Sequence, residues 1–100
     1  MACRVEFHPK AVEDFEFLDN AIKKEIAKKI DALSENPMLG KHLGNKSGID
    51  LCGFYKLYAL KKKYRIVYRI IGEHIEVVEV VAIGKRDKDE VYKLVSRRIK

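Results

Sequence analysis

Apolar residues near the start of the chain follow first a strand spacing and then a helical spacing. Val5 and Phe7 alternate with polar neighbours, which predicts a short first strand. Pro9 then suits the first turn of a helix, because proline fixes a helical φ and needs no hydrogen-bond partner there. The apolar positions predicted to face inward from this helix are Val12, Phe15 and Leu18.

A second helix is predicted between Asp19-Asn20 and Pro37. Its start carries residues that favour helix N-termini, and the proline ends it. One apolar stripe runs along it at helical spacing, formed by Ile22, Ile26, Ile30 and Leu33. The two helices together predict an αα-hairpin.

The stretch from Pro37 to about Cys52 contains three glycines and few apolar residues, which predicts an extended surface loop. The glycines are Gly40, Gly44 and Gly48.

Three strands are predicted next, at about residues 53–60, 64–71 and 74–83, with turns at Lys61–Lys63 and Gly72-Glu73. An antiparallel meander is the simplest connection. The last strand is apolar on both faces, so it should be central or covered on both sides.

Residues 87–90 have the spacing of a capping box before a short C-terminal helix. The apolar positions of this helix are Val91, Leu94, Val95 and Ile99. The predicted order is therefore βααβββα, an α+β fold with an antiparallel sheet, an N-terminal αα-hairpin and a short C-terminal helix.

Length and composition indicate one soluble domain spanning residues 1–100. Apolar residues make up 47% of the chain and charged residues 36%. A chain of this size has room for one modest core. No apolar run approaches the roughly 18–20 residues needed to cross a bilayer, and the N-terminus lacks an extended apolar signal segment. We therefore expect a cytoplasmic protein without a membrane partner.

Positive charge is concentrated in the C-terminal part of the chain. Residues 1–40 carry 6 Lys or Arg against 8 Asp or Glu, whereas residues 41–100 carry 15 against 7. Such polarisation is typical of a surface that binds an anionic partner, and nucleic acid is the leading candidate.

The cysteines and histidines do not form a metal-binding pattern. Cys3 and Cys52 are far apart in sequence and have no clustered histidines, so neither a zinc site nor a disulfide is expected. The three histidines are also scattered and do not suggest an acid–base pair. They are His8, His42 and His74. No metal and no cofactor are predicted.

The second and third of the predicted strands can form one cationic face. Alternate strand residues share a face, so Lys56 should project with Tyr58, and Arg65 with Arg69. Metal-free RNA cleavage needs a base for the 2′-hydroxyl, cations for the pentacovalent phosphate and an acid for the leaving 5′-oxygen. Unperturbed Lys and Tyr ionise near about pH 10, so a base of either type needs nearby positive charge or burial.

Three segments carry a resemblance to a known family. They are Tyr55-Lys56, Tyr64-Arg65 through Tyr68, and Gly84-Lys85-Arg86 through Glu90-Val91-Tyr92. In identity and spacing they resemble the RelE/ParE superfamily of type II toxins, and within it the RelE-like ribosome-dependent messenger-RNA endonucleases. The resemblance implies the RelE-like microbial ribonuclease fold and cleavage of messenger RNA in the ribosomal A site, giving a 2′,3′-cyclic phosphate and a 5′-hydroxyl.

The resemblance also assigns roles to individual residues. It places Lys56 as base or transition-state stabiliser, Arg65 on the phosphate, Arg86 on the leaving group, and Tyr92 as the helical tyrosine, expected to stack on a base. Tyr58 stands where the family has a second lysine, which leaves the general base open between Lys56 and Tyr58. Each of these residues also has a structural alternative. Arg65 could pair with a strand glutamate such as Glu76, and Tyr92 could pack its helix onto the sheet. The others could be a solvated strand lysine (Lys56), a surface or edge tyrosine (Tyr58) and a loop arginine beside Asp87 or Asp89 (Arg86).

Further basic residues extend the expected RNA-binding surface, namely Lys61, Lys62, Lys63, Arg69 and Lys85. The partners implied by the resemblance are a cognate antitoxin, the ribosome with its messenger, and operator DNA bound only through the toxin–antitoxin complex. Two rival functions share the fold or the surface: a ParE-like inhibitor of DNA gyrase, and a non-catalytic RNA-binding module.

Overall fold

A computed structural model describes residues 3–46, 49–72, 77–85 and 90–98. The strands and helices follow one another along the chain in this order: β1 (Arg4–Phe7), α1 (Pro9–Glu16), α2 (Asn20–Glu35), β2 (Lys41–Lys46), β3 (Ile49–Ala59), β4 (Tyr64–Ile71), β5 (Val77–Lys85) and α3 (Glu90–Arg98). The α+β class, the αα-hairpin and the C-terminal helix are confirmed. One strand, β2, is additional to the prediction.

The strands form one sheet in the order β1-β5-β4-β3-β2. The antiparallel meander of β3, β4 and β5 is confirmed. The expectation of a wholly antiparallel sheet is wrong for β1, which pairs with β5 in parallel. A tight hairpin cannot join parallel strands, and these two are separated by most of the chain.

The prediction of a surface loop between Pro37 and Cys52 is also wrong, because this segment contains β2 and the first residues of β3. Two glycines with positive φ, Gly44 at +86° and Gly53 at +88°, interrupt these strands. The β2–β3 register also shifts between His42 and Gly44. Such irregularities remove the two-residue apolar alternation by which a strand is recognised in sequence.

The two faces of the sheet are covered by different helices. On one face, α1 and α2 pack on β-strand residues that include Ile66, Val80 and Ile83. On the other face, α3 packs on a cluster that includes Val67 and Ala82. β5 lies between β1 and β4 and is buried from both sides, as its sequence indicates.

The helices follow the sequence pattern with one exception. In α2 the residues Ile26, Ile30 and Leu33 are buried, as predicted. Phe15 of α1 and Leu18 just after it pack against the core as predicted, whereas Val12 is 40% exposed and Ala11 takes the buried position in its place. Within the described residues, no helix combines the length and apolar character needed to cross a membrane.

Several predicted features lie outside the described residues. These are Gly48, the turn residue Glu73, residues 74–76 of the predicted last strand, the capping residues 87–89 before α3, and Ile99.

Tyr68 fixes the segment that connects α2 to β2. Its buried hydroxyl donates a hydrogen bond to the Pro37 carbonyl at 2.9 Å and accepts one from the Gly40 amide at 2.9 Å. A Cβ atom on Gly40 would overlap the Lys56 carbonyl oxygen and lie 2.6 Å from the Tyr68 hydroxyl, so only glycine fits there. Burial raises the pKa of the Tyr68 phenol, which keeps it in the protonated form that both bonds require.

We predict that Tyr68→Phe lowers the free energy of unfolding by about 1–3 kcal/mol, because a buried amide and a carbonyl lose their partner. Tyr55→Phe is the control. It removes the hydroxyl oxygen of the more exposed Tyr55, whose ring is stacked on Tyr68, and should lower the free energy of unfolding by less. Urea unfolding of both variants measures the difference. Because the folded pKa of Tyr68 is raised, its contribution should be fully present below about pH 10 and be lost as pH rises further. Equal effects of the two substitutions would contradict this assignment.

Asp14 and Arg98 close the open edge of β5. β1 pairs with residues Val77–Val80, and beyond them no strand of the described residues flanks β5 on that side, whereas β4 pairs along its other side. There, the Ile83 amide donates to Asp14 Oδ2 at 3.1 Å, and Arg98 donates to the Val81 carbonyl at 2.9 Å. The Arg98 guanidinium also donates two hydrogen bonds to the Asp14 carboxylate, of 2.7 and 3.0 Å. This pair therefore joins α1, α3 and β5.

We predict that Asp14→Asn lowers the free energy of unfolding by about 1–3 kcal/mol, because an amide cannot replace both carboxylate bonds to a largely buried guanidinium. Glu13→Gln is the matched control. Its carboxylate pairs with Lys10 at the surface, where both side chains are at least 60% exposed. The control should change stability by less than about 0.5 kcal/mol. Thermal unfolding of the two variants tests this, and a loss of the same size in both would contradict the role of the Asp14–Arg98 pair.

Candidate functional site

The strands β3 and β4 place three of the predicted site residues on the face of the sheet that α3 covers in part. Tyr58 is directly opposite Arg65, and Lys56 is directly opposite Val67. Directly opposed residues of antiparallel strands project to the same side. Lys56, Tyr58 and Arg65 are therefore neighbours on one surface.

Three cations surround the ring of Tyr58. The Lys56 ammonium donates a hydrogen bond to the Tyr58 hydroxyl at 3.0 Å and lies 5.0 Å from the ring centre. The Lys62 ammonium and the Arg65 guanidinium are each 5.7 Å from the same centre. Lys56 and Tyr58 are half-buried, so both remain accessible to a ligand. Such a concentration of positive charge favours an anionic ligand.

Arg65 lies close to two aromatic rings. Its guanidinium carbon lies 4.8 Å from the centre of the Tyr92 ring and 5.7 Å from that of Tyr58, and the residue is 7% exposed. On its other side, Arg65 is opposite Gly84 of β5, which adds no side chain to this face. Stacking fixes the direction of the guanidinium while leaving its edge able to donate hydrogen bonds.

Tyr92 is part of the core beneath α3. It is 1% exposed and packs with residues that include Val67, Ala82 and Val95. The expected stacking on an RNA base needs an accessible ring, whereas this ring faces Arg65 and the sheet. Its spacing of three residues from Val95 is the sequence signal for burial.

Arg86 lies outside the described residues. The strand that leads to it ends at Lys85, directly opposite Tyr64, and the preceding Gly84 is opposite Arg65. Glu76, the sequence-based alternative partner of Arg65, also lies outside the described part of the chain.

The additional basic residues occupy two different settings. Lys61, Lys62, Lys63 and Lys85 are exposed at one end of the sheet. Arg69 instead donates from Nε to Glu79 Oε1 at 2.6 Å, and its guanidinium lies 5.9 Å from the Phe54 ring centre. Arg69 and Glu79 are directly opposed in the β4–β5 register. Sequence reasoning missed this pair because the register was not known.

The described histidines accept backbone hydrogen bonds, and Cys52 lies beside a carboxylate. His8 caps α1 by accepting the Lys10 amide at Nδ1, and His42 accepts the Gly53 amide at Nε2. His74 lies outside the described residues. A hydrogen bond and the negative charge of Asp50 raise the pKa of the Cys52 thiol, which disfavours a nucleophilic thiolate. Among the residues that the structure describes, no group of three or more potential metal ligands occurs.

Comparison with known proteins gives a family match over most of the chain. Residues 5–90 match the family described as "ParE toxin of type II toxin-antitoxin system, parDE". A RelE-like toxin protein of Escherichia coli is 34% identical over 100 residues, with 100% of both chains covered. The mRNA interferase toxin RelE of Escherichia coli K12 is 30% identical over 99 residues, with 99% of both chains covered.

Solved structures agree with the sequence matches. An arginine-to-alanine double mutant of E. coli toxin RelE in the free state superposes with a TM-score of 0.78, at 27% identity and with 100% of both chains covered. The toxin in the intact E. coli RelBE toxin–antitoxin complex gives a TM-score of 0.68 at 25% identity, covering 87% of this chain and 100% of that one. Together with the shared βα topology, these matches show that the chain belongs to the ParE/RelE family of type II toxin–antitoxin toxins.

Proposed function

We propose that this toxin is an endoribonuclease that cuts messenger RNA in the ribosomal A site and thereby inhibits translation. The observation that carries the proposal is the cluster formed by Lys56, Tyr58 and Arg65, in which a hydrogen-bonded lysine–phenol pair lies beside a fixed guanidinium. The names of the relatives, which include mRNA interferase, support the same reaction.

In the proposed reaction, a phosphodiester lies over the Tyr58 side of the cluster. Removing the proton from the 2′-hydroxyl lets its oxygen attack the phosphorus. The bond to the 5′-oxygen breaks as water protonates that oxygen, and the proton taken from the 2′-hydroxyl returns to water. The products are a 2′,3′-cyclic phosphate and a 5′-hydroxyl. No step is assigned to a metal, since cations supply the charge that the phosphorane needs.

Lys56 and Tyr58 are proposed to act as one proton-accepting unit. Their 3.0 Å hydrogen bond means that a change of charge on one alters the proton affinity of the other. Arg65 is proposed to hold the phosphate oxygens as negative charge develops. Arg86 is retained from the sequence pattern as the residue acting on the leaving group.

Tyr92 is proposed to position Arg65 rather than to stack on a base. The Tyr92 ring is buried and its centre is 4.8 Å from the guanidinium carbon. It can therefore fix the direction of the Arg65 N–H donors without touching RNA. Lys61, Lys62, Lys63 and Lys85 are proposed to bind RNA through phosphates. Arg69 contributes less, because Glu79 compensates its charge.

The first experiment compares Arg65→Ala with the parent in single-turnover cleavage of messenger bound to purified ribosomes. We expect a loss of about a hundredfold or more in rate, the size seen when a fixed donor to a transition-state oxyanion is removed. Arg97→Ala removes an exposed arginine from α3 and is the matched control, expected to stay within about threefold. Circular dichroism must show that both variants are folded. A folded Arg65→Ala protein that cuts at the parent rate would contradict the assigned site.

The same assay tests the lysine–phenol unit. Lys56→Ala and Tyr58→Phe should each slow the chemical step by about 10²–10⁴. Because the two residues act together, the double variant should be about as slow as the slower single variant. Tyr58→Lys restores the family residue and should keep more activity than Tyr58→Phe. Independent, multiplicative losses would instead assign the base to one residue and leave the other as a simple electrostatic contributor.

Two other functions predict different results. A ParE-like toxin would inhibit supercoiling by DNA gyrase and leave ribosome-bound messenger intact. A non-catalytic RNA-binding module would block translation without producing new RNA ends. Mapping the 5′ ends of messenger on stalled ribosomes, beside a gyrase supercoiling assay, separates the three.

The proposed partners follow from the family. E. coli RelE has been solved with an antitoxin in the RelBE complex, and we propose that this chain also binds a cognate antitoxin. An acidic segment of that antitoxin would neutralise the cationic face. Operator DNA is proposed to be bound only through the toxin–antitoxin complex. A toxin that acts on translating ribosomes works in the cytoplasm, which is the proposed location.

A further inference from the structure

A groove opens at the end of the sheet, next to the cationic face but on the side covered by α1 and α2. We call it the lysine groove. It is a cavity of about 770 Å³ lined by Ile22, Leu60, Lys61–Lys63, Tyr64 and Lys85. A second cavity of about 380 Å³ continues it towards α1 and shares Ile22, Tyr64 and Lys85. One end of the groove is therefore cationic, and its floor is apolar and aromatic.

The turn that carries three of these lysines has an unfavourable backbone. Leu60, Lys61 and Lys62 have φ values of 53°, 55° and 70°. Side chains with a Cβ atom adopt this left-handed region reluctantly, and tight hairpins of this kind usually carry Asn-Gly. The Lys63 amide closes the turn on the Leu60 carbonyl at 3.1 Å. Folding alone would favour Asn-Gly at Lys61-Lys62, so the lysines occupy the turn at a cost to stability.

The lysine groove is continuous with the proposed cleavage site. Tyr64 and Arg65 are consecutive residues that project to opposite faces of β4, and Lys85 is directly opposite Tyr64. The Lys62 ammonium lies 5.7 Å from the ring centre of Tyr58 on the cleavage face. A chain of phosphates leaving the cleavage site can thus pass over the end of the sheet while staying beside cations.

The chemistry of the groove fits single-stranded RNA. Lys61, Lys63 and Lys85 can bind phosphates, and the half-buried Tyr64 ring beside Ile22 offers an apolar surface on which a base can stack. Charge complementarity therefore favours a polyanion, and the aromatic floor favours a polyanion that carries flat bases.

We propose that the lysine groove is a second RNA subsite, which binds the strand flanking the cut with phosphates on Lys61, Lys63 and Lys85 and a base on Tyr64. This inference rests on the proposed RNA cleavage and adds a binding path beyond the scissile phosphate. It is independent of how the phosphodiester is cut.

The Lys61→Asn/Lys62→Gly double variant separates stability from binding. Asn and Gly adopt positive φ more readily than Lys, so the backbone strain of the turn falls and the melting temperature should rise by about 4–8 °C. Its affinity for a fluorescein-labelled, uncleavable nine-nucleotide 2′-O-methyl RNA should fall roughly tenfold. The salt dependence should become less steep by about 1.4 on a log–log plot. The variant removes two proposed phosphate contacts, Lys61 in the groove and Lys62 beside Tyr58, and each single-strand contact contributes about 0.7. A purely structural turn would not lose affinity as it gains stability.

The matched control is Lys28→Gln/Lys29→Gln, which removes two exposed lysines from α2 and the same total charge. Its RNA affinity should stay within about twofold of the parent. Equal losses in the two double variants would show general charge attraction and overturn the proposal. An unchanged RNA affinity in the turn variant, with weaker binding of a poly-glutamate peptide, would also overturn it and assign the groove to an acidic protein segment.

A tryptophan reporter tests base stacking directly, because the natural chain contains no tryptophan. Tyr64→Trp should give fluorescence that the RNA quenches to saturation, whereas Met38→Trp, at a 53% exposed position in the α2–β2 connection, should not respond. If RNA leaves the fluorescence of the Tyr64→Trp protein unchanged as well, the proposed subsite is wrong. These binding measurements need no cleavage, so a parent protein that binds in the groove but leaves messenger uncut would overturn the proposed function alone.

Discussion

The buried guanidinium of Arg65 is the constraint on which the site depends. A cation that is 7% exposed has lost most of its hydration, and the surrounding groups must compensate for that loss. The rings of Tyr58 and Tyr92, with centres 5.7 and 4.8 Å from the guanidinium carbon, supply cation–π attraction. Tyr92 belongs to α3, so the direction of the guanidinium is fixed only while that helix is docked on the sheet.

Docking of α3 in turn depends on the far end of the helix. Val95 and Tyr92 bury its apolar face, and Arg98 anchors its last turn to Asp14 of α1 and to the open edge of β5. The same ion pair therefore satisfies strand backbone groups and holds the helix that orients Arg65. The contacts of Arg98 therefore both stabilise the fold and maintain the site. At the Lys61-Lys62 turn, in contrast, we infer that residues which bind RNA lower the stability of the fold.

The sequence predicted elements whose signals are local. The α2 stripe and the β3–β5 meander were readable because their periodicity is regular over many residues. β2 was missed because Gly44 and Gly53 interrupt the alternation. The parallel pairing of β1 with β5 joins ends of the chain that no local pattern connects. In α1 the prediction chose Val12 over the smaller Ala11 at the start of the helix, because apolar size alone does not tell which of two adjacent residues is buried.

The same distinction applies to the site. Alternation placed Lys56 beside Tyr58, and the family pattern selected Arg65, but neither gave the hydrogen bond between Lys56 and Tyr58. The Arg69–Glu79 pair depends on strand register, which sequence alone did not supply. Tyr92 was expected to meet RNA because its position matches the family, whereas helix packing buries its ring.

The chemical ends of the cut messenger test the central claim most directly. Purified toxin is added to ribosomes holding a defined messenger, and the fragments are analysed by mass spectrometry. Attack by the 2′-hydroxyl on a phosphate held by this cationic face predicts a 2′,3′-cyclic phosphate on the upstream fragment and a 5′-hydroxyl on the downstream one. A 3′-hydroxyl with a 5′-phosphate would mean that water was the nucleophile and would contradict the account.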